Sequence, residues 1–590
     1  MRGVRALPLA ASVMLGTMLS ACGGGGGGGV NSTPTPPPAT PVNTTLTDLK
    51  ASQSFTNDAA TQAIVFEQKT STVISGQKTS AALTVRYDVT TNSYAITLPD
   101  RTVTFGQADI QDTSTEQTRY LKSSDTARDR LTLVKIPYTG KTANDYVGLG
   151  YYQRNVSADG RQNTEFATFT YGLDTPAASV PRMGLAAFRI DVFGLSATPG
   201  YEARQFQGQG KFSVDFGAGI FSASSYLNEY ELVSGSGSSG GGIELTATGR
   251  LSASDGTFGG NMLYGGFQGT IPGQLSGRFY GPTGQELGAS FSGQNASTGA
   301  SVTGSFTGQR DSTIRPDNLS LTNMSGEQLF YVSAALLTTR VVDGQSGLGI
   351  GTYSMIGQLN RLNDETFTYG PGLSNLPGGG FTINDKIASS DPNFTAYRKT
   401  FDGQEVKLEL YRPGSGNTEL ALTYASLGRW STSNRVGTIA SNDRVYLAYG
   451  LDTPRGLMAA KTGTGRYDGV VYGAGANSAT GATYDVKGTS RFDVDFSNQR
   501  YSGSLALKGT GINGAAAVDF GRYEFSDRMG WNGTLGTTGL STNGARAGDV
   551  SSRFYGPDGQ EIGSTFTLTT PAGASGAGTT ISGASVAKRQ

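Results

Sequence analysis

Histidine is missing from all 590 residues of this chain. Without an imidazole there is no Ser-His-Asp triad, no Cys-His pair, and no histidine-ligated zinc or haem, so whole reaction classes fall away at once. Cysteine occurs once, at Cys22, which leaves no disulfide framework to build on. Neither sign of charge is in excess: 46 Lys+Arg balance 46 Asp+Glu, so no basic field draws the chain to nucleic acid or to an anionic membrane. Long apolar runs are also lacking. The longest, Ala6 to Leu19, falls short of the roughly 20 residues that a membrane-spanning helix needs. Paired carboxylates could still hydrolyse a glycoside, but Asp and Glu fall in turns and on alternating strand positions without a distinctive pair, and the expectation is a protein that is not an enzyme.

What is present at the start has a clear layout. Arg2 and Arg5 precede the apolar run, as in a secretory signal removed on export. Leu19-Ser20-Ala21-Cys22 then resembles a bacterial lipobox, in which the cysteine sulfur takes a diacylglycerol and the new amino terminus is acylated; an unpaired thiol in an oxidising compartment is thereby used up. Two or three acyl chains together anchor a protein, at about 0.8 kcal/mol per buried methylene, where one alone holds it only marginally. Gly23 follows the cysteine, and by resemblance to enterobacterial lipoproteins this favours the outer membrane. The residues after it, GGGGGGGVNSTPTPPPATP, have almost nothing to bury and read as a tether, with a coil reach of roughly 25 Å for about 20 residues.

Beyond the tether the chain repeats itself with a shift of about 275 to 280 residues. Tyr171-Gly172-Leu173-Asp174-Thr175-Pro176 recurs unchanged as Tyr449-Gly450-Leu451-Asp452-Thr453-Pro454. KFSVDF at Lys211 to Phe216 returns as RFDVDF at Arg491 to Phe496, and RFYGPTGQELGASF from Arg278 returns as RFYGPDGQEIGSTF from Arg553. One lobe is therefore used twice.

Within each lobe the pattern has period two. Phe492, Val494 and Phe496 share one face of a strand and the charged residues share the other, which is the signature of a half-buried antiparallel strand. Glycine, at 87 residues about twice the usual share, punctuates strands that recur every 8–14 residues, and long amphipathic helices are hard to find. The fold class is accordingly all-β, with part of each lobe a closed barrel that hides its edges. Gly281-Pro282-Thr283-Gly284 and Gly556-Pro557-Asp558-Gly559 suit type I turns of two hairpins. Folding them brings Glu286 diagonally near Arg278, and Glu561 near Arg553, as solvated cross-strand ion pairs.

The hairpin Phe279-Tyr280-Gly281-Pro282 with Glu286 and Gly288, repeated as Phe554-Tyr555-Gly556-Pro557 with Glu561 and Gly563, follows a VDF strand in two lobes behind a lipobox and polyglycine. Together these features resemble the transferrin-binding protein B family of Gram-negative surface lipoproteins. The resemblance implies two homologous lobes, each a strand-rich handle followed by an eight-stranded antiparallel barrel: a signal peptide at 1–21, lipidated Cys22 and tether at 22–42, handle 43–175, barrel 176–310, handle 311–454 and barrel 455–585. It implies a lipid-anchored protein of the outer membrane, facing the cell surface, that captures a transferrin-like protein or another iron, haem or nutrient carrier and presents it to a TonB-dependent receptor. The motif residues carry fold rather than ligand contacts, and no cofactor is expected beyond the lipid on Cys22. Two other readings stand beside this one: a barrel that binds haem or a small molecule directly through a tyrosine such as Tyr280 or Tyr555, or through a methionine, and an adhesive or structural coat protein without a transport role.

Overall fold

The computed structural model describes residues 41–590 apart from 141, 239–241, 345–346, 363–364, 371, 375, 378, 455 and 513. Cys22 and the glycine- and proline-rich stretch lie outside the described residues. Strands account for nearly all of the regular structure, and the helical turns among the described residues are three short 3-10 segments.

The period-two pattern is realised as a pleat. In the strand Thr483–Asp495, Phe492 and Val494 turn inward while Asp493 is half-exposed, and Phe212 and Val214 do the same in Arg204–Asp215. Eight strands from Leu185–Ala197 to Ser301–Arg310 close on themselves, because Leu185–Ala197 pairs with both Arg204–Asp215 and Ser301–Arg310. A second closed ring of eight runs from Thr464–Asn477 to Thr579–Arg589, so its last strand passes the 585 expected from the repeat. Each barrel interior is packed with rings. Phe212 stacks on Phe221 at 4.9 Å and meets Phe258 at 5.0 Å, with Phe258 against Phe279 at 5.4 Å. Burial of each such side chain contributes about 1.5–3 kcal/mol, and eight strands enclose an interior about wide enough for side chains to fill.

Each barrel carries a handle sheet on its flank. In the first, the long strand Gln53–Glu67 pairs along its length with Arg161–Gly172, which pairs with Val147–Ala158. In the second, Gln328–Val342 pairs with Ile439–Gly450, which pairs with Ala425–Val436. All of this lies in one compact unit, Asn43–Gln590.

Candidate functional site

The two FYGP hairpins are the joints of the lobes. Phe279 points into the first barrel, and the next residue, Tyr280, points out under the handle, where its hydroxyl stands 3.4 Å from Thr170 Oγ1. Gly281 takes a φ of 82°, which a side chain resists, and its N–H donates to the Leu173 carbonyl at 2.9 Å. Gly288 lets the sheets touch: a Cβ there would stand 2.9 Å from Thr170 and Val147. Phe554, Tyr555, Gly556, Pro557 and Gly563 repeat the arrangement, with Tyr555 in the second seam and Gly556 at a φ of 87°.

The glutamates do not form the hairpin ion pairs that the spacing suggests. Glu286 is 4 % exposed, and its carboxylate accepts three backbone hydrogen bonds from the handle: from Asp145 and Tyr146 at 2.8 Å and from Val147 at 2.9 Å. Glu561 accepts the same three from Thr423 and Tyr424 at 2.8 Å and Ala425 at 2.7 Å. Burial lifts both carboxyls above the usual range against the pull of those amides. Arg278 binds Asp58 of the handle instead, at 2.8 Å, and Arg553 binds Asp452 at 2.8 Å. A strand-end carboxylate thus caps the amides that begin the neighbouring handle strand.

Tyr280 and Tyr555 also fail as iron ligands. Both are fully buried in the seams, outside the barrels, and burial pushes both phenols up and away from the phenolate an iron would need. Among the described residues no three His, Cys, Asp or Glu side chains gather to hold a metal.

Exposed apolar side chains collect at one end of the first barrel. Phe267 sits in the tight turn between Thr257–Gly266 and Gly269–Tyr280 and is 66 % exposed; Tyr201, Leu232 and Val233 crown the neighbouring turns, and Tyr226 stands 78 % exposed on the adjoining strand. Ile74 joins them from the handle, because Val73 exchanges 2.8 Å backbone hydrogen bonds with Gly200 and Tyr201. Below this patch lies a charged clamp. Arg204 donates to Glu231 at 2.6 Å, approaches Glu229 at 3.7 Å, and lies 4.8 Å under the Phe267 ring, while Glu229 accepts from the Phe267 N–H at 3.1 Å and from the buried Tyr264 hydroxyl. The exposed ring is therefore held in place from beneath on both its backbone and its face. Sequence reasoning passed over these residues, although an aromatic inside Gly265-Gly266-Phe267-Gln268-Gly269 was a readable signal: a turn that tight has no core for it to enter.

The family model describing the C-lobe and N-lobe beta barrels of Tf-binding protein B matches residues 459–589. No curated protein matches. Among solved structures, a double mutant of Transferrin Binding Protein B from Haemophilus parasuis Hp5 is 13% identical, covering 90% of this chain and 95% of that one, at a TM-score of 0.27. Intact Ap-TbpB, with N and C lobes, is 12% identical over 91% of this chain and 99% of that one, at 0.26. Isotype 1 TbpB from serogroup B Neisseria meningitidis is 16% identical over 81% and 88%, at 0.25. Scores this low say nothing of how the domains are placed, and the assignment rests on the barrel match. Through the barrel at residues 459–589, the protein is transferrin-binding protein B-like.

Proposed function

We propose that the protein is an outer-membrane lipoprotein, anchored through a lipid on Cys22 and facing the cell surface, that captures a transferrin-like protein or another iron, haem or nutrient carrier and hands it to a TonB-dependent transporter. The observation that carries this reading is the apolar patch of Phe267, Tyr201, Tyr226, Leu232 and Val233 around the clamp of Arg204, Glu229 and Glu231. Rigid aromatics ringed by polar groups are the chemistry of protein hot spots, and a monomer that leaves so many exposed in one place gains nothing from them in folding. The tether raises the concentration of a captured carrier near the channel without any new contact.

Surface plasmon resonance against iron-loaded transferrin and against a panel of serum carriers tests the reading. One of them binds the wild-type chain, and Phe267→Ala together with Tyr201→Ala weakens that binding by more than tenfold, a loss above 1.4 kcal/mol. Absence of binding to every carrier, or equal binding by the variant, overturns it.

A further inference from the structure

The lobes are built alike, but their seams are not. In the first lobe the seam between handle and barrel is shut, and beside the strand Val73–Thr79 it is largely apolar. Tyr151 stacks on Phe193 across it at 4.8 Å, Ile64 and Phe166 are buried beside them, and the strand Val73–Thr79 comes so close that a Cβ on Gly76 would stand 2.5 Å from Ser301 Oγ. The shared Tyr-Gly-Leu-Asp-Thr-Pro and VDF segments equate Gly172 with Gly450 and Phe212 with Phe492. Counting back along the paired strands, the second lobe has Arg429 where the first has Tyr151, Arg444 for Phe166, Thr339 for Ile64, Ile350 for Gly76 and Lys487 for Gln207. A branched side chain at the position of Gly76 forbids the same close approach, and charges replace the rings that filled the gap.

What opens is a cleft of about 890 Å³ between the second handle and its barrel. Four cations line or border it: Lys407, Arg429 and Arg444 on the handle and Lys487 on the barrel. Three acids face them. Glu409 is taken by Arg429, with hydrogen bonds of 2.8 and 2.9 Å, and by Lys407 at 3.0 Å; Asp485 meets Arg444 at 2.7 Å; Asp391 lies 3.6 Å from Lys487. A fourth acid, Asp443, also stands on the lining and accepts from the Thr338 hydroxyl at 2.7 Å, so acids and cations there are equal in number and a bound anion exchanges with these pairs. Between the cations stand Ser431, Ser433, Thr339 and Asn442. The floor is the face of a sheet, so its backbone groups are engaged in ladders and recognition falls to side-chain hydroxyls, amides and cations. An extended peptide would ask for a free edge or apolar pockets; a ligand rich in hydroxyls with carboxylates among them matches what is there.

We propose that this cleft binds an acidic oligosaccharide, its carboxylates met by Arg444, Lys407 and Lys487 and its hydroxyls by Ser431, Ser433 and Asn442. Calorimetric titration of the whole chain tests it, with sialyllactose as a terminal acidic sugar, a hyaluronan tetrasaccharide as a uronic acid polymer fragment, maltotetraose as the neutral control and decaglutamate as the acidic peptide. At least one acidic saccharide binds saturably, maltotetraose does not, and the affinity falls as added salt shortens the Debye length from about 10 to about 3 Å. Arg444→Gln and Lys487→Gln each weaken binding by about tenfold, and Ser433→Trp, which fills the cleft without changing charge, abolishes it. All three sites are half-exposed or exposed, so the variants melt with the wild type. Phe267→Ala, in the other lobe, leaves the titration unchanged, which separates this site from carrier capture. Failure of both acidic saccharides to saturate, wild-type affinity in the variants, or decaglutamate binding as tightly as the saccharide overturns the proposal.

Discussion

Glu286 and Glu561 show how one side chain can hold two domains. Each ends a barrel hairpin and reaches back to the start of a handle strand, with Glu286 bonding Asp145 at a sequence distance of 141 residues. Three amide donors converge on one carboxylate, and no neutral side chain of that size accepts all three. Glu286→Gln therefore strands at least one buried N–H and lowers stability by about 1–3 kcal/mol, read as a fall in Tm. Because Arg278 is bonded to Asp58 and not to Glu286, Arg278→Gln adds to this loss independently, within about 0.5 kcal/mol in a double-mutant cycle. Coupling of several times that size would restore the hairpin ion pair. Burial raises this carboxyl in the native state, so the folded protein takes up its proton more readily than the unfolded chain, and mild acid does not cost stability through Glu286.

At the scale of elements, the two lobes differ in what fills the seam beside the barrel, rings in the first and charged side chains in the second. Within the second handle, Glu409 of one strand is held by Arg429 of the next. Burial opposes that charge, but the two hydrogen bonds from Arg429 and the nearby Lys407 outweigh it and hold the carboxyl below the ordinary value of 4.5. The stability this adds is fully present above that value and is lost as pH falls through the lowered one. Glu409→Gln consequently melts below the wild type at pH 7, and the gap narrows below about pH 4. The two tryptophans allow the element to be watched: Trp430 is buried in the second handle and Trp531 stands exposed in a turn of the second barrel, so Trp531→Phe leaves a single buried emitter. A Tm gap that does not change with pH would mean that the pair contributes packing rather than charge.

The molecule as a whole couples its lobes through the same hairpin that seals the second one. Thr248 of the first barrel donates to the Pro557 carbonyl at 2.7 Å and Asn261 to Asp558 at 3.1 Å. The function proposed for this assembly requires an anchor, and that is tested at Cys22. Cys22→Ser stops incorporation of labelled palmitate and moves the protein from the membrane fraction to the soluble one, while the soluble form still binds its carrier and no longer supports uptake. Membrane retention of the variant, or undiminished uptake, would remove the lipid from the mechanism.

Sequence alone determined the duplication, the all-β class and the positions of the turns, because period-two alternation and glycine placement act over a few residues and survive any tertiary arrangement. Phe492 and Val494 face inward as their spacing requires, and the absence of histidine closes its reaction classes in any fold. The partners of Glu286, Glu561, Arg278 and Arg553 were decided only by docking handle on barrel, since a strand end offers several partners at similar distance and the winner sits more than 100 residues away. The same holds for the cleft at Arg444, which is made of ordinary strand residues and opens according to how closely two sheets can approach, a distance that turns on Gly76 in one lobe and Ile350 in the other.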